Sequence, residues 1–326
     1  MKDLSPIYQI YVQLEAICRK ISISFSGIGF FGNILIIIYF VKINKNKLLK
    51  MSAYHFLILQ LAIVDAFLCV TFPIFIILAD LFQTNKNLKT VYICVKIIFY
   101  CLLAVSAWIL MFISFLRYRS IVHPLTPLWN KRKFFIGIVL VLFLSIVIGV
   151  FEIFEEFMIK NRGVANFAYA LSFKLVEYII PSTLIVAFYF KSRRALERQN
   201  KEVSSTSQQQ IRRRNETALK TLKHLMVVYF LTVFITKLLE IFSIMAMTLF
   251  EDMIDPEKGM KLTMAFTILF HIFSIQNNIL NVVVYAIVMK DFRQFLKKIS
   301  LHCTICKYFD YRVKAGKYCI EKPRNS

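Results

Sequence analysis

The chain has 326 residues, 58% of them hydrophobic, and a formal net charge of +22 from 41 Lys and Arg against 19 Asp and Glu. A soluble core of this length cannot bury so much apolar surface, which excludes a soluble globular domain. The excess charge follows membrane topology and marks a cytoplasmic face suited to anionic lipid headgroups and an acidic partner, not to nucleic acid.

Seven apolar stretches of membrane length follow one another, at about 21–41, 53–79, 91–116, 134–154, 168–190, 222–249 and 262–289. About 20 residues at a rise of 1.5 Å cross a hydrocarbon layer of about 30 Å. A helix satisfies its own backbone hydrogen bonds there. A β-barrel would instead show alternating segments of about ten residues, a pattern that this chain lacks. Residues 1–20 are polar and have no apolar core, so they are expected to be an extracellular N-terminus without a cleavable signal, the first helix acting as its own insertion signal.

In the second span Asp65 lies within Leu61-Ala62-Ile63-Val64-Asp65. A charge at mid-bilayer is costly and faces the protein interior as a rule. Lys174 and Glu177 interrupt the fifth span, and Lys237 and Glu240 stand three apart in the sixth. Three-residue spacing suits either a mutual ion pair on one helical face or two groups lining a ligand pocket. In the seventh span Asn277, Asn281 and Tyr285 recur every four residues and share one face. Beyond it, Phe292, Phe295, Leu296 and Ile299 fall on one face and the basic residues on another, which predicts a short amphipathic helix lying on the membrane. Cys303 and Cys306 follow as candidate palmitoylation sites. Their C-x-x-C spacing lacks the second ligand pair of a zinc site.

Lys42, Lys45, Lys47 and Lys50 occupy the first connection, and Arg117, Arg119, Lys131, Arg132 and Lys133 the third. The 191–223 connection and the tail are basic throughout, whereas Glu152, Glu155, Glu156, Glu251, Asp252, Asp255 and Glu257 lie on the opposite side. Basic loops remain cytoplasmic, so the N-terminus is expected outside and the C-terminus inside. The expected fold class is an all-α membrane protein: a seven-transmembrane helix bundle with a short amphipathic eighth helix over 21–300, and a cytoplasmic tail over 301–326.

Several motifs together resemble the rhodopsin-like G-protein-coupled receptors. Gly32-Asn33 resembles the family's G-N, and Leu61 to Asp65 its L-A-x-x-D. The run from Phe115 to Leu125 resembles D-R-Y…P-L with Leu116 in place of the acid. Pro181 and Tyr189 match positions in the fifth helix, and Asn281 to Tyr285 resembles N-P-x-x-Y with Val282 in place of Pro. The resemblance implies a plasma-membrane receptor that transmits an extracellular ligand's signal to a heterotrimeric G protein. It assigns the activation switch to Arg117, Tyr118, Tyr189, Asn281 and Tyr285. It also implies a sodium pocket at Asp65, Ser106, Asn277 and Asn281, with no cofactor required.

The departures narrow the reading. No Cys stands between Cys101 and Cys303, so the family's bond from the third helix to the second extracellular loop is impossible, and Cys18 and Cys94 are the alternative pair. The fourth span has no Trp, and the sixth has no C-W-x-P, although Phe234 matches a family Phe there. Leu116 and Lys220 stand where the resting state keeps acids, which predicts raised basal signalling. Phe99 occupies the position of the amine receptors' Asp and Ile275 lies near that of the opsins' Lys, disfavouring both ligand classes. Lys96, Phe99, Glu177, Lys237 and Glu240, together with Lys174, are the candidate cavity residues for a peptide, a lipid or a charged small molecule. A seven-helix transporter or channel using Asp65, Lys237 and Glu240 is the alternative, although the chain shows no repeats or Gly/Pro-broken helices. No nucleophile–base or metal constellation points to an enzyme.

Overall fold

The computed structural model describes residues 6–43, 53–122, 131–160, 171–172, 174–202 and 276–299, and within 215–242 the residues 215–216, 219–220, 222–224, 226–235, 238 and 241–242. Four long helices come first: α1 (Pro6–Ile43), α2 (Ala53–Thr84), α3 (Lys89–Val122) and α4 (Lys131–Lys160). A π-helical turn, Leu175–Ile179, then runs into α5 (Ile180–Glu202). The described part of the sixth span contains a second π-helical turn, Phe230–Phe234. The seventh span contributes the helix Gln276–Val288, and a terminal helix covers Lys290–Ile299. Among the described residues there is no strand, and five helices are long and apolar enough to cross a membrane.

α1 begins well before the expected position 21. Pro6 takes the first helical position, where its missing N–H costs nothing. Glu15 and Arg19 pair one turn apart at 2.5 Å, and Arg19 also bonds Asp80 on α2. These charges satisfy one another along the helix rather than ending it.

Met1–Val284 forms one compact unit and Tyr285–Ser326 a second. In the first, α2 packs between α1 and α3, and α3 packs also on α4 and α5. Of α3's span 56% is buried, against 22% of α4's. The exposed faces are apolar too, with Phe31 on α1 and Phe135 and Phe143 on α4 turned outward. A helix apolar on every side suits lipid as its solvent.

Gly29, Gly32 and Gly149 let helices approach closely, and the last two bear on the motifs and on α3. A Cβ on Gly32 would stand 2.9 Å from both Val282 methyls. The smallest side chain on α1 therefore faces the residue that replaces the motif's Pro. A Cβ on Gly149 would overlap the Cys101 Sγ and stand 3.0 Å from the Cys101 N and the Ile97 O, both α3 backbone. Rings fasten the N-terminal end of α3 to α2: Phe82 stacks on Tyr92 at 5.5 Å, Tyr92 on Phe75 at 5.7 Å and Phe75 on Phe99 at 5.2 Å. Phe72 closes the series against Phe99 at 5.7 Å.

In the second unit, the Met289 N–H donates to the Tyr285 carbonyl and the Arg293 N–H to the Met289 carbonyl, carrying the ladder across the joint into the terminal helix. Arg293 also donates to the Ile287 carbonyl. Phe292 is buried and stacks on Phe295 at 6.2 Å, while Lys297 and Lys298 are exposed, the amphipathic division that the sequence leads one to expect.

Gly149→Ala is expected to lower the melting temperature of the detergent-purified protein more than Gly32→Ala, because α3 backbone yields less than a Val side chain. The cost is about 1–3 kcal/mol, as for an overpacked core. Gly27→Ala, inside α1 with nothing within 4 Å of the new Cβ, serves as the control and is expected to show the gain of about 0.5–1 kcal/mol that Ala brings over Gly in a helix.

Candidate functional site

The polar centre of the bundle is Asp65, whose side chain is fully buried on α2. The Ser106 hydroxyl of α3 donates to Oδ1 at 2.9 Å. The Asn281 amide, from the seventh-span helix, donates to Oδ2 at 2.9 Å. Three helices thus meet at one carboxyl group. Asn33 is also buried, its amide donating to the Gly29 carbonyl one turn back at 2.9 Å. The Asn281 Oδ1 is buried and accepts no hydrogen bond among the described residues. A carboxylate, a hydroxyl and an orphaned amide oxygen are hard donors of the kind a small cation takes, so the residues fit sodium. Asn277 lies in the same helix, with its side chain outside the described residues. Among the described residues no three His, Cys, Asp or Glu side chains converge as a transition-metal site requires.

A second polar centre lies between α3 and the fifth span. Lys174 and Glu177 are fully buried and face each other at 3.9 Å, an i,i+3 pair of the type expected for the sixth span. Two cations lie near the Tyr100 ring, the Lys96 Nζ 5.9 Å and the Lys174 Nζ 5.8 Å from its centroid. The backbone here is π-helical for a local reason. Pro181 has no N–H to offer the Glu177 carbonyl, and upstream the Ile180 N–H reaches five residues back to the Leu175 carbonyl. The resulting turn packs against the other π-helical turn, Phe230–Phe234. The Ser182 hydroxyl donates to the Tyr178 carbonyl at 2.5 Å and lies 3.4 Å from the Tyr229 hydroxyl, tying the fifth span to the sixth.

Of the candidate cavity residues, Lys96 and Glu177 come together in this cluster. Phe99 touches its edge: the ring meets Tyr100 edge-to-face at 5.4 Å and is otherwise buried in the α2–α3 core with Leu68, Phe72 and Ile76. Lys237 and Glu240 lie outside the described residues, as do Cys303 and Cys306.

At the other end of α3, the Arg117 guanidinium sits over the Tyr54 ring of α2, 3.3 Å from its centroid. Leu116 is buried. Among the described residues no carboxylate pairs with Arg117, and its Nε is buried without a hydrogen bond. Tyr118 stacks on Phe188 of α5 at 5.5 Å, and the Gln199 amide donates to the Ile121 carbonyl at 2.8 Å, which fixes α5 along this end of α3. Tyr189 is buried beside Phe190 and interacts with Arg193 rather than with Arg117. Tyr285 is buried as well and belongs to the second unit.

The pairing of Cys18 with Cys94 is corrected by the structure: both are free, Cys18 buried and Cys94 exposed. Their helices do not pack along each other, because α2 stands between α1 and α3. A disulfide needs Cα atoms within about 7 Å.

Sequence reasoning missed Tyr54, Tyr100, Ser182 and Tyr229. A lone Tyr near a span end carries the same signal as an interfacial anchor. The Lys174–Glu177 spacing was a usable signal, identical to that of Lys237 and Glu240.

Removing one member of a buried ion pair leaves the other uncompensated, at a cost of about 3–5 kcal/mol, whereas replacing both with apolar residues is close to neutral. Glu177→Leu alone is therefore expected to reduce the yield and melting temperature of the purified protein sharply. Lys174→Met together with Glu177→Leu is expected to restore most of both.

Among known protein families, the chain matches the model for 7 transmembrane receptor (rhodopsin family) over residues 32–285. No curated protein matches it. The match spans all seven expected helices except the first half of the first and the last four residues of the seventh, and covers the Gly32-Asn33, Asp65, Arg117 and Asn281 motifs. The chain is therefore a multi-pass membrane protein of the rhodopsin family of seven-transmembrane receptors.

Proposed function

We propose that the chain is a plasma-membrane receptor, N-terminus outside and C-terminus inside, which passes the signal of an extracellular ligand to a heterotrimeric G protein. The observation that carries this reading is the Asp65–Ser106–Asn281 network, a buried linkage of three helices. α3, which contributes Ser106, also bears Lys96 and Tyr100 towards one end and Arg117 towards the other. The basic connections support the orientation, since Lys and Arg beside short spans remain cytoplasmic.

The ligand binds among the helices at Lys96, Tyr100, Lys174 and Glu177. Buried charges of both signs there favour a peptide, a lipid with a charged head or a charged small molecule. Phe99 in place of an acid argues against an amine, and the absence of Lys between Leu262 and Met289 argues against retinal. Lys237 and Glu240, three apart in the sequence of the sixth span, are the further candidates for contact with the ligand. A sodium ion held by Asp65, Ser106, Asn277 and Asn281 would supply a positive charge that holds the resting arrangement together.

On the cytoplasmic side Arg117, Tyr118, Tyr189, Asn281 and Tyr285 form the switch that presents the surface for the G protein. The terminal helix lies on the inner leaflet, anchored further by acyl chains on Cys303 and Cys306. The receptor acts by changing shape and catalyses no reaction itself.

Basal G-protein activation in cells expressing the chain, compared with Arg117→Ala and Asp65→Asn at equal surface levels, tests the reading. A signal above empty vector that changes in either variant is expected. Equal silence of all three with every G-protein class, accompanied by ion or solute flux, would favour a transporter or channel instead.

A further inference from the structure

Receptors that hold the cation at the end of their third helix with a neighbouring acid have no counterpart for that acid here. Leu116 precedes Arg117, and Lys220 is exposed just ahead of the sixth span. The cation is nevertheless held. Its guanidinium carbon lies 3.3 Å from the centroid of the Tyr54 ring, at the first turn of α2. Tyr54 is itself steadied by a tilted contact with His55 at 5.7 Å, and His55 by Phe40 of α1 at 5.6 Å. The Arg117 Nε is buried with no hydrogen bond, so the π face is the partner that the structure gives this group among the described residues. Arg suits the contact, because its planar, weakly hydrated guanidinium stacks on aromatic faces at a smaller desolvation cost than an ammonium ion.

We propose that the ring of Tyr54 holds Arg117 in the resting receptor as a cation–π latch, taking the place of the missing acid. Tyr54 is then a positioning residue for activation, acting through Arg117; the inference rests on Arg117 being the switch residue. Arg117 must leave the ring before it can meet a G protein. The latch pins α3 to α2, whereas an acid one residue away on α3 would act within a single helix. Its attraction comes from the ring and not from the hydroxyl, which separates it from a hydrogen-bonded lock.

Two measurements on the full chain test the latch. The first is a melting-temperature cycle of the purified receptor with Tyr54→Leu, Tyr54→Phe and Arg117→Gln. Tyr54→Leu is expected to lower the melting temperature, Tyr54→Phe to retain it, and the effect of Leu to shrink when Arg117 is already Gln. The second is basal G-protein activation at matched surface levels. Tyr54→Leu is expected to raise it about two- to fivefold, the factor matching a cation–π contact at a partly exposed site, and Tyr54→Phe to keep the parent level. Phe behaving like Leu overturns the latch, as does a Leu effect on melting that is independent of Arg117. Coupling in the melting cycle with unchanged basal signal, in a receptor that does signal, also overturns it. Coupling in the melting cycle with no variant activating any G protein overturns the G-protein reading, and the signalling role of Tyr54 with it.

Discussion

A polar atom in hydrocarbon has no water to turn to, and this governs how the helices are set against one another. Asp65 is tolerated at its depth because Ser106 and Asn281 each bring a donor to one of its oxygens. Those two bonds fix the rotation of α3 and of the seventh-span helix about their own axes, since a turn of either would take its donor away. Lys174 and Glu177 obey the same rule with opposite charges. α3 has a part in every polar centre described: Lys96 and Tyr100, then Ser106, then Arg117, at intervals of six to eleven residues. At 1.5 Å per residue the last interval, from Ser106 to Arg117, is about 16 Å. A rigid rod carrying three sites transmits a displacement at one of them to the others without any need for a separate pathway.

Much of this was legible in the sequence because membrane helices announce themselves by length and composition. The start of α2 follows from its apolar run and the shared face of Asn281 and Tyr285 from spacing, whereas Ser106 and Asn281 as partners of Asp65 come with the family resemblance. The missed parts share a physical cause: a charge or a ring has different meanings according to its partner, and partners lie far away in sequence. Glu15 and Arg19 read as part of a polar N-terminus ahead of the first span until they are seen paired on α1, with Asp80 beside Arg19. Lys174 and Glu177 look like an interruption until they face each other. Phe99 reads as a cavity residue, yet its ring contacts divide between Phe72 and Phe75 in the core and Tyr100 at the charged cluster. The two π-helical turns leave no trace in composition, although Pro181 marks the place of one of them.

Where the chain departs from its family's motifs, local packing takes over. Val282 replaces a Pro, and Gly32 across from it leaves room for its methyls. The sixth span has no Pro, yet it is π-helical over Phe230–Phe234 and packs there against the irregular turn of the fifth. Small residues perform the work of close approach, as they do between membrane helices in general.

The stack of rings between α2 and α3 has a chemical consequence. A covalent tie forms only with an oxidant and is cut by thiols, whereas stacked rings need neither. The N-terminal end of α3 therefore acquires its place without oxidative maturation, and reductants leave it there. What weakens this end is whatever loosens aromatic packing, namely heat or a solvent that competes for the ring faces.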